Sequence, residues 1–337
     1  MKLIKRLFKI IGIVITSLIV IFCLLIAGIA IYDPIGYSGY YKLARKEFRI
    51  PGLNSGFTPQ GLAYSKEKNV FLGSGYDKKT GEAVIYVIDQ SKNTSKKVGV
   101  MNGDKVYKGH AGGIAVNKDF VYLANNSKIL CLSLNDIMNA KENDKVKLGK
   151  SFVVPVNSAF CFADSNALYV GEFYDIKHNY NTNSSHHIEL DDGTTNHSLI
   201  VKYDLDASNS DYGVNIVPKV AYSVTDQVQG CAVSPNGRMA LSISWGISSS
   251  HIMIYKDINA SLPITYTFTQ DGDSTMYILP TYILSGLNLE KDVVAPPMSE
   301  DLEYIDGRVY IFNESASNKY IFGKFMRSKN VYSYPMD

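Results

Sequence analysis

The sequence contains little cysteine and only one tryptophan. Of its four cysteines among 337 residues, only Cys131, Cys161 and Cys231 follow the first 32 residues. Three thiols cannot pair completely, so a disulfide framework is excluded, with one disulfide beside a free thiol as the alternative. Each of the three lies in an apolar, strand-like run and is predicted to be a small core residue.

The sequence also lacks a cluster of basic charge in its main part. Its formal net charge is +2, and residues 1–32 hold Lys2, Lys5, Arg6 and Lys9 with no acidic residue. Of the 34 basic residues, 30 therefore accompany all 32 acidic ones in the remainder. Following a phosphate backbone requires a clustered basic excess, so nucleic acid is not predicted as a partner.

One long apolar run is present near the amino terminus. Residues Ile10 to Tyr32 are 23 uncharged residues, enough for a helix to cross a hydrocarbon core of about 30 Å. A cleaved signal peptide, whose apolar region is roughly 7 to 15 residues, is the alternative. The preceding basic residues predict a cytoplasmic tail over 1–9. We therefore predict a single-pass plasma-membrane protein with a transmembrane signal-anchor over 10–32, a linker over 33–45 and an extracellular domain over 46–337.

A hairpin pattern recurs five times in this domain. Each copy has a short apolar strand, a turn containing Asn, Asp, Gly or Pro, and a second apolar strand. The copies begin at Pro59, Ala111, Asn157, Val228 and Ser299. A third strand is predicted after each copy, within 83–89, 128–134, 198–205, 251–257 and 319–325 (KYIFGKF). No convincing amphipathic helix occurs, so the domain is predicted to be all-β.

The spacing of the copies predicts a β-propeller. The aligned apolar positions, which are 52, 46, 71 and 71 residues apart, are Leu62, Ile114, Phe160, Cys231 and Leu302. Known propeller repeats span roughly 40 to 50 residues, so the longer spacings indicate insertions. We predict five blades, with residues 46–50 (KEFRI) supplying the outer strand that closes the ring. Six blades are the alternative, with a further unit within residues 266–286.

The repeats resemble those of NHL-type and SMP-30-like propellers. The resemblance lies in a Gly-apolar-Ala-Val strand, a turn and a Val-Tyr-Val strand, and it covers most of residues 57–322. That group includes both binding modules and metal-dependent lactone or ester hydrolases, so the fold alone does not select a function.

Connectivity predicts that polar residues meet at one mouth of the central channel. The residues that enter a first strand and those that leave a second strand lie at the same end of an antiparallel hairpin. Polar and aromatic groups that converge in a concavity are typical of a ligand site. The predicted ligand-binding residues are Gln60, Tyr76, His110, Asn125, Glu172, Gln229 and Trp245.

Carboxylates at the same mouth suggest a metal or a catalytic site. Glu300 and Glu314 are the catalytic candidates, because hydrolysis commonly uses paired carboxylates. With Asn125 they are also candidate ligands of a divalent cation, Ca²⁺ or Mg²⁺. The resemblance to SMP-30-like enzymes implies a similar set of Glu, Asn and Asp ligands distributed around the ring. Gln60 and Gln229 depart from it, since further acids would be expected there.

An insertion in the third copy, residues 174–198, is predicted to rise over this mouth. It holds four of the six histidines, which are His178, His186, His187 and His197. Together with Glu189, Asp191 and Asp192 they offer zinc ligands, although the spacing matches no known zinc motif. A polar loop with incidental histidines is the simpler interpretation.

Two classes of function follow from these observations. The first is a membrane-anchored extracytoplasmic propeller that binds a small molecule, a glycan or an exported protein without transforming it. The alternative is a divalent-metal-dependent, SMP-30-like hydrolase or lactonase acting through Glu300 and Glu314. The sequence leaves open whether the protein is an enzyme.

Overall fold

The computed structural model describes residues 2–320 and 322–336, and it joins one long helix to an all-β domain. The α-helices are α1 (Lys2–Gly36), α2 (Ser38–Leu43) and α3 (Leu134–Asn139). Short 3-10 helices cover Ile176–His178, Ser184–His186, Ile258–Ala260, Phe322–Phe325 and Arg327–Lys329. The all-β prediction for the main domain is confirmed, although α3 was not predicted.

Twenty-four strands are found in the described residues. The first twelve are β1 (Arg45–Arg49), β2 (Phe57–Ser65), β3 (Val70–Asp77), β4 (Ala83–Asp89), β5 (Thr94–Asn102), β6 (Lys105–Val106), β7 (Ile114–Asn117), β8 (Phe120–Ser133), β9 (Lys145–Lys147), β10 (Ser151–Ala163), β11 (Ala167–Glu172) and β12 (Ile188–Glu189). The others are β13 (Thr195–Asn196), β14 (Ser198–Asp204), β15 (Val220–Val224), β16 (Val228–Val233), β17 (Met239–Ile243), β18 (Ser250–Tyr255), β19 (Ile264–Thr269), β20 (Met276–Ile283), β21 (Leu289–Ala295), β22 (Ser299–Ile305), β23 (Arg308–Asn313) and β24 (Asn330–Pro335).

The strands form antiparallel groups of four in chain order. Three groups are separate: β2–β3–β4–β5, which β6 and β9 extend by pairing with β5, β16–β17–β18–β21, and β22–β23–β24–β1. Eight further strands form one larger sheet in the order β7–β8–β10–β11–β14–β15–β20–β19, and β12 pairs with β13 in a two-stranded sheet. Within it, the first half of β8 pairs with β7, and its second half pairs with the start of β10. Asn126, at the middle of β8, has a φ of 51°, a conformation that asparagine tolerates better than most residues.

The first strands of the groups contact one another in a cycle. The order is β2, β7, β10, β16, β22 and back to β2. All five aligned positions of the repeat, Leu62, Ile114, Phe160, Cys231 and Leu302, are buried, as predicted.

The three cysteines beyond α1 are free and buried, which confirms their assignment to the core. The core of the domain thus lies between the faces of neighbouring sheets.

The last group, β22–β23–β24, is completed by β1, which precedes the first group in the sequence. Strand β1 pairs with β24, as predicted for KEFRI, with Lys46 opposite Tyr332. The third strand predicted at 319–325 is wrong. That stretch contains a 3-10 helix, and the third strand is β24. Residues 319–325 include apolar and aromatic side chains, but Gly323 packs so closely on the carbonyl of Ser315 that a Cβ would lie 1.8 Å from its oxygen. A strand with a larger side chain at this position would therefore not fit.

Residues 266–286, which the six-blade alternative assigns to a further blade, instead belong to the larger sheet. Strands β19 and β20 form a hairpin, and β20 pairs in parallel with β15 through Tyr222 and Tyr282. The hairpin thus extends the larger sheet and lies between β18 and β21 in sequence. No separate four-stranded sheet forms from residues 266–286.

The amino-terminal helix is long and apolar enough to cross a membrane. Within the candidate span, Ile4–Gly36, an 18-residue window has a mean hydropathy of 3.1, and none of that window is buried against the rest of the protein. Residues 33–43, part of the predicted linker, are almost entirely helical, and Tyr37 and Tyr40 pack on the core of the domain.

Candidate functional site

Several of the predicted site residues meet where β23 ends and β2 begins. We call this group the Glu314 cluster. Its members are Gln60, Tyr76, His110, Glu300, Glu314, Lys319 and Tyr320. Five of them were predicted as site residues. Lys319 and Tyr320 were missed because they were assigned to a core strand.

Glu314 is the centre of the cluster. Gln60 Nε2 donates a hydrogen bond of 3.2 Å to Glu314 Oε2, and the Tyr320 hydroxyl donates one of 2.6 Å to Oε1. The Lys319 ammonium lies 4.0 Å from Oε2. The side chain of Glu314 is therefore held from three directions, and the residue is only 9% exposed.

Aromatic rings and a lysine form the outer part of the cluster. Lys319 Nζ donates a hydrogen bond of 2.8 Å to the Tyr76 hydroxyl and lies 5.0 Å from the centre of the Tyr320 ring. The Tyr76 ring stacks on His110, with ring centres 5.0 Å apart. His110 and Lys319 are exposed, so the carboxylates lie below a rim that solvent reaches.

The electrostatics of the cluster depend on two neighbouring carboxyl groups. Burial, and then the charge of Glu314, raise the pKa of Glu300 well above its ordinary value, against the opposing effect of Lys319. Burial also raises the pKa of Glu314, which Lys319 opposes. Burial alone would lower the pKa of Lys319, but Glu314 and the hydroxyls of Tyr320 and Tyr76 raise it. Burial and mutual repulsion thus disfavour the charged forms of the two carboxyl groups, whereas the Lys319 ammonium favours them.

Trp245 belongs to a second group, which involves the insertion. Its indole Nε1 donates a hydrogen bond of 3.2 Å to His178 Nε2, and the two rings are 4.4 Å apart. Tyr180 and Phe173 contact the same indole, with ring centres 5.4 and 5.8 Å away. Asp175 binds His178 Nδ1 at 2.9 Å. The insertion therefore packs on the loop that follows β17.

Glu172 is buried, and its carboxylate binds a histidine of the insertion and a backbone N–H group. It is 0% exposed, and its Oε1 accepts a hydrogen bond of 2.9 Å from the backbone of Leu199 and contacts His186 Nδ1 at 2.8 Å. The other ring nitrogen of His186 contacts the Thr269 carbonyl oxygen at 2.7 Å. This pair joins β11 through the insertion to the β19–β20 hairpin.

The remaining predicted residues bind backbone or side-chain groups next to them. Gln229 Nε2 donates a hydrogen bond of 3.3 Å to the carbonyl oxygen of Ser244. The backbone N–H of Asn125 donates one of 3.2 Å to Ser158 Oγ. Neither contact joins these residues to the Glu314 cluster.

The donor set for a divalent cation is incomplete. Among residues 2–320 and 322–336, no group of three or more His, Cys, Asp or Glu side chains is placed to hold a metal ion. Both oxygens of Glu314 accept hydrogen bonds, and the Lys319 ammonium would repel a cation there. A site formed by Asn125, Glu300 and Glu314 stays a prediction from sequence, as does zinc binding by the insertion.

A cavity lies at the other end of the first strands. Its volume is about 930 Å³, and turns after all five first strands line it. Among its lining residues are Tyr64, Lys118, Asp164, Pro235 and Asp306. The convergence of these turns was not predicted as a site, because their residues were interpreted only as the requirements of tight turns.

Comparison with known proteins gives similarity to solved structures only. No family model and no curated protein matches the chain. The chain is similar to the PQQ-bound form of an aldose sugar dehydrogenase from Streptomyces coelicolor, with 13% identity, a TM-score of 0.43, and coverage of 87% of this chain and 97% of that one. It is also similar to XC5397 from Xanthomonas campestris, described as a gluconolactonase, with 9% identity, a TM-score of 0.37, and coverage of 87% and 88%.

A third similar structure is much longer than the part matched. Hydrazine synthase from Kuenenia stuttgartiensis has 10% identity and a TM-score of 0.36 over 78% of this chain, and the chain spans only 58% of its length. With all three TM-scores below 0.5, these likenesses assign no activity or ligand to this chain.

Proposed function

We propose that this protein is a membrane-anchored, five-bladed β-propeller that binds a polyhydroxylated small molecule, such as a glycan, at the Glu314 cluster. The main domain lies outside the cell and is held at the plasma membrane by α1. The protein binds its ligand without transforming it.

The cyclic order of the first strands supports the propeller with five blades. Each of the five first strands begins a group of four, and β1 completes the last group beside β24. Radial repetition of this kind leaves few exposed strand edges. The five-fold convergence of turns around the cavity at the other end supports the same count.

The observation that carries the ligand site is the arrangement of Gln60, Tyr320 and Lys319 around Glu314. A carboxylate, an amide and an ammonium offer acceptors and donors to hydroxyl groups. The outer face of the stacked Tyr76–His110 pair suits the apolar face of a sugar ring. The groups already bind one another, so the site is ordered before a ligand arrives, which reduces the entropy cost of binding.

Binding is favoured over metal-dependent hydrolysis by the position of Lys319. A cation between Glu300 and Glu314 would have to displace both the ammonium and two hydrogen bonds. The hydrolase alternative therefore needs a rearrangement of this cluster, whereas hydroxyl groups of a ligand can replace the same contacts directly.

A glycan-binding screen with the full-length, detergent-solubilised protein tests the proposal. We expect binding of at least one neutral saccharide, and loss of at least tenfold in affinity for Tyr76→Ala and Glu314→Gln. Glu67→Gln is the matched control, because Glu67 is exposed at the opposite end of the domain. Absence of binding to every saccharide, or equal binding by all variants, would contradict the proposed site.

A further inference from the structure

The end of the apolar helix is fixed to two loops of the domain, one of which, between β23 and β24, also holds Glu314, Lys319 and Tyr320. Asp33 follows directly after the apolar run, and its Oδ2 accepts a hydrogen bond of 3.0 Å from the backbone N–H of Arg327. The Tyr37 hydroxyl lies 3.2 Å from Ser249 Oγ. Asp33 itself is 1% exposed. If α1 spans the bilayer, Arg327 and the loop of Ser249 must therefore lie at the level of the membrane surface.

The segment that contains Arg327 is basic. Residues 315–336 hold Lys319, Lys324, Arg327 and Lys329 and no acidic residue. Basic residues close to a membrane are attracted to anionic lipid headgroups, at about 1 kcal/mol for each. The guanidinium of Arg327 lies 4.9 Å from the ring centre of Tyr41, which keeps it near the end of the anchor.

Exposure alternates along this segment. Phe325, Arg327 and Lys329 are exposed, whereas Met326 and Ser328 between them are buried. The segment therefore exposes an aromatic ring and two cations within five residues. Ile247, two residues from the Ser249 contact, is 84% exposed. An exposed aliphatic side chain and an aromatic ring beside cations are typical of a surface that rests on the interface of a bilayer.

We propose that Ile247, Phe325, Arg327 and Lys329 form an interfacial surface that binds the phosphate headgroups of anionic phospholipids. Ile247 and Phe325 enter the headgroup region, while Arg327 and Lys329 contact the phosphates. This inference rests on the proposed anchoring by α1. It gives the domain a fixed orientation in which the Glu314 cluster faces the membrane and the 930 Å³ cavity faces away from it.

Lipid titration of the full-length protein in detergent micelles tests the headgroup preference. Phosphatidylglycerol and phosphatidylcholine with the same acyl chains are added, and bound lipid is counted by native mass spectrometry. We expect phosphatidylglycerol to bind about 25-fold more tightly, and Arg327→Gln/Lys329→Gln to lose about fivefold of this preference for each charge removed. The double variant keeps the backbone N–H that binds Asp33. Lys66→Gln/Lys118→Gln, at the opposite end, should keep the preference.

A second measurement tests the contact itself. With Trp245→Phe as background, Phe325→Trp places the reporter on the interfacial surface, and Leu287→Trp places it at the other end of the domain, on a residue 86% exposed. In nanodiscs with brominated lipids we expect at least twofold stronger quenching for the first variant. Equal quenching, or an unchanged lipid preference in the double variant, overturns the interfacial surface alone. Extraction of the wild-type protein from membranes by alkaline carbonate overturns the anchoring and this inference together.

Discussion

Asp301 of β22 accepts a hydrogen bond of 3.1 Å from the backbone N–H of Leu62 in β2. Two residues further, Glu303 accepts one of 2.9 Å from the N–H of Tyr64. Asp301 and Glu303, at alternate positions of β22, thus accept hydrogen bonds from N–H groups at alternate positions of β2. Because unpaired buried N–H groups are costly, these two carboxyl groups fasten the two ends of the domain together.

Asp301→Ala should destabilise the domain strongly. Asp301 is 0% exposed, and its other oxygen accepts a hydrogen bond of 3.0 Å from the N–H of Leu302. Removing the carboxyl group leaves two buried donors unsatisfied, at about 1 to 3 kcal/mol for each. Asp301→Asn retains one acceptor and should cost about half as much. Urea denaturation measures both, with the exposed Asp306→Asn as control. A loss below about 1 kcal/mol for the alanine variant would show that the donors find other partners.

Glu300→Gln should alter how stability depends on pH. The pKa of Glu300 is raised above its ordinary value of 4.5 by burial and by Glu314. Between these two pKa values the folded protein keeps a proton that the unfolded chain has released, so the free energy of unfolding falls as pH rises from about 4.5 through the folded-state pKa. The variant lacks this proton, so its curve should be flatter by up to about 1.4 kcal/mol per pH unit.

Denaturation series between pH 4.5 and 8 measure this difference. The matched control is Glu67→Gln, on an exposed turn at the opposite end. It should reproduce the wild-type slope. Parallel curves for the wild type and Glu300→Gln would mean that Glu300 ionises in the folded protein as easily as in the unfolded chain.

The sequence was sufficient for the hairpins and for the closing strand, because both depend on local patterns. Turn residues and alternating apolar runs identified β2–β3, β16–β17 and β22–β23 directly. The meeting of Gln60 in β2 with Glu314 after β23 followed from strand direction alone. Lys319 and Tyr320 were missed, since their apolar neighbours suggested a strand, and the close packing of Gly323 on Ser315 is a contact that no local pattern encodes.

The pairing of strands that lie far apart in the sequence could not be predicted either. The parallel contact of β20 with β15 joins strands from different repeats, and nothing in either segment specifies its partner. Glu172 was predicted for ligand binding from its place at the end of β11. Its contact with His186 depends on how a long insertion folds back, so burial of that carboxyl group could not be inferred from sequence position.

Phe160 and Gly171 should show strong coupling in a double-mutant cycle. They are opposite each other in β10 and β11, and a Cβ on Gly171 would lie 2.1 Å from the Phe160 ring. Phe160→Ala alone should cost about 3 to 5 kcal/mol because it leaves a cavity. Gly171→Ala alone overpacks the site, at about 1 to 3 kcal/mol or more. The double variant should lose less than the sum of both, because the new methyl group occupies part of the cavity. Additive losses in chemical denaturation would disprove this direct contact.

Trp245 should report on the insertion, because it is the only tryptophan in the chain. His178 Nδ1 lies 2.9 Å from Asp175 Oδ2, so the ring proton is assigned to Nδ1, and Nε2 accepts the hydrogen bond from the indole. His178→Ala removes this acceptor and one ring that shields the indole, so fluorescence emission should shift to longer wavelength and quenching by iodide should increase. His178→Gln retains an acceptor, so its emission should shift less.

The control is His251→Ala, since His251 binds Asp292 at 2.7 Å on another part of the domain. Identical emission from His178→Ala and the wild type would mean that the insertion does not cover Trp245 in solution.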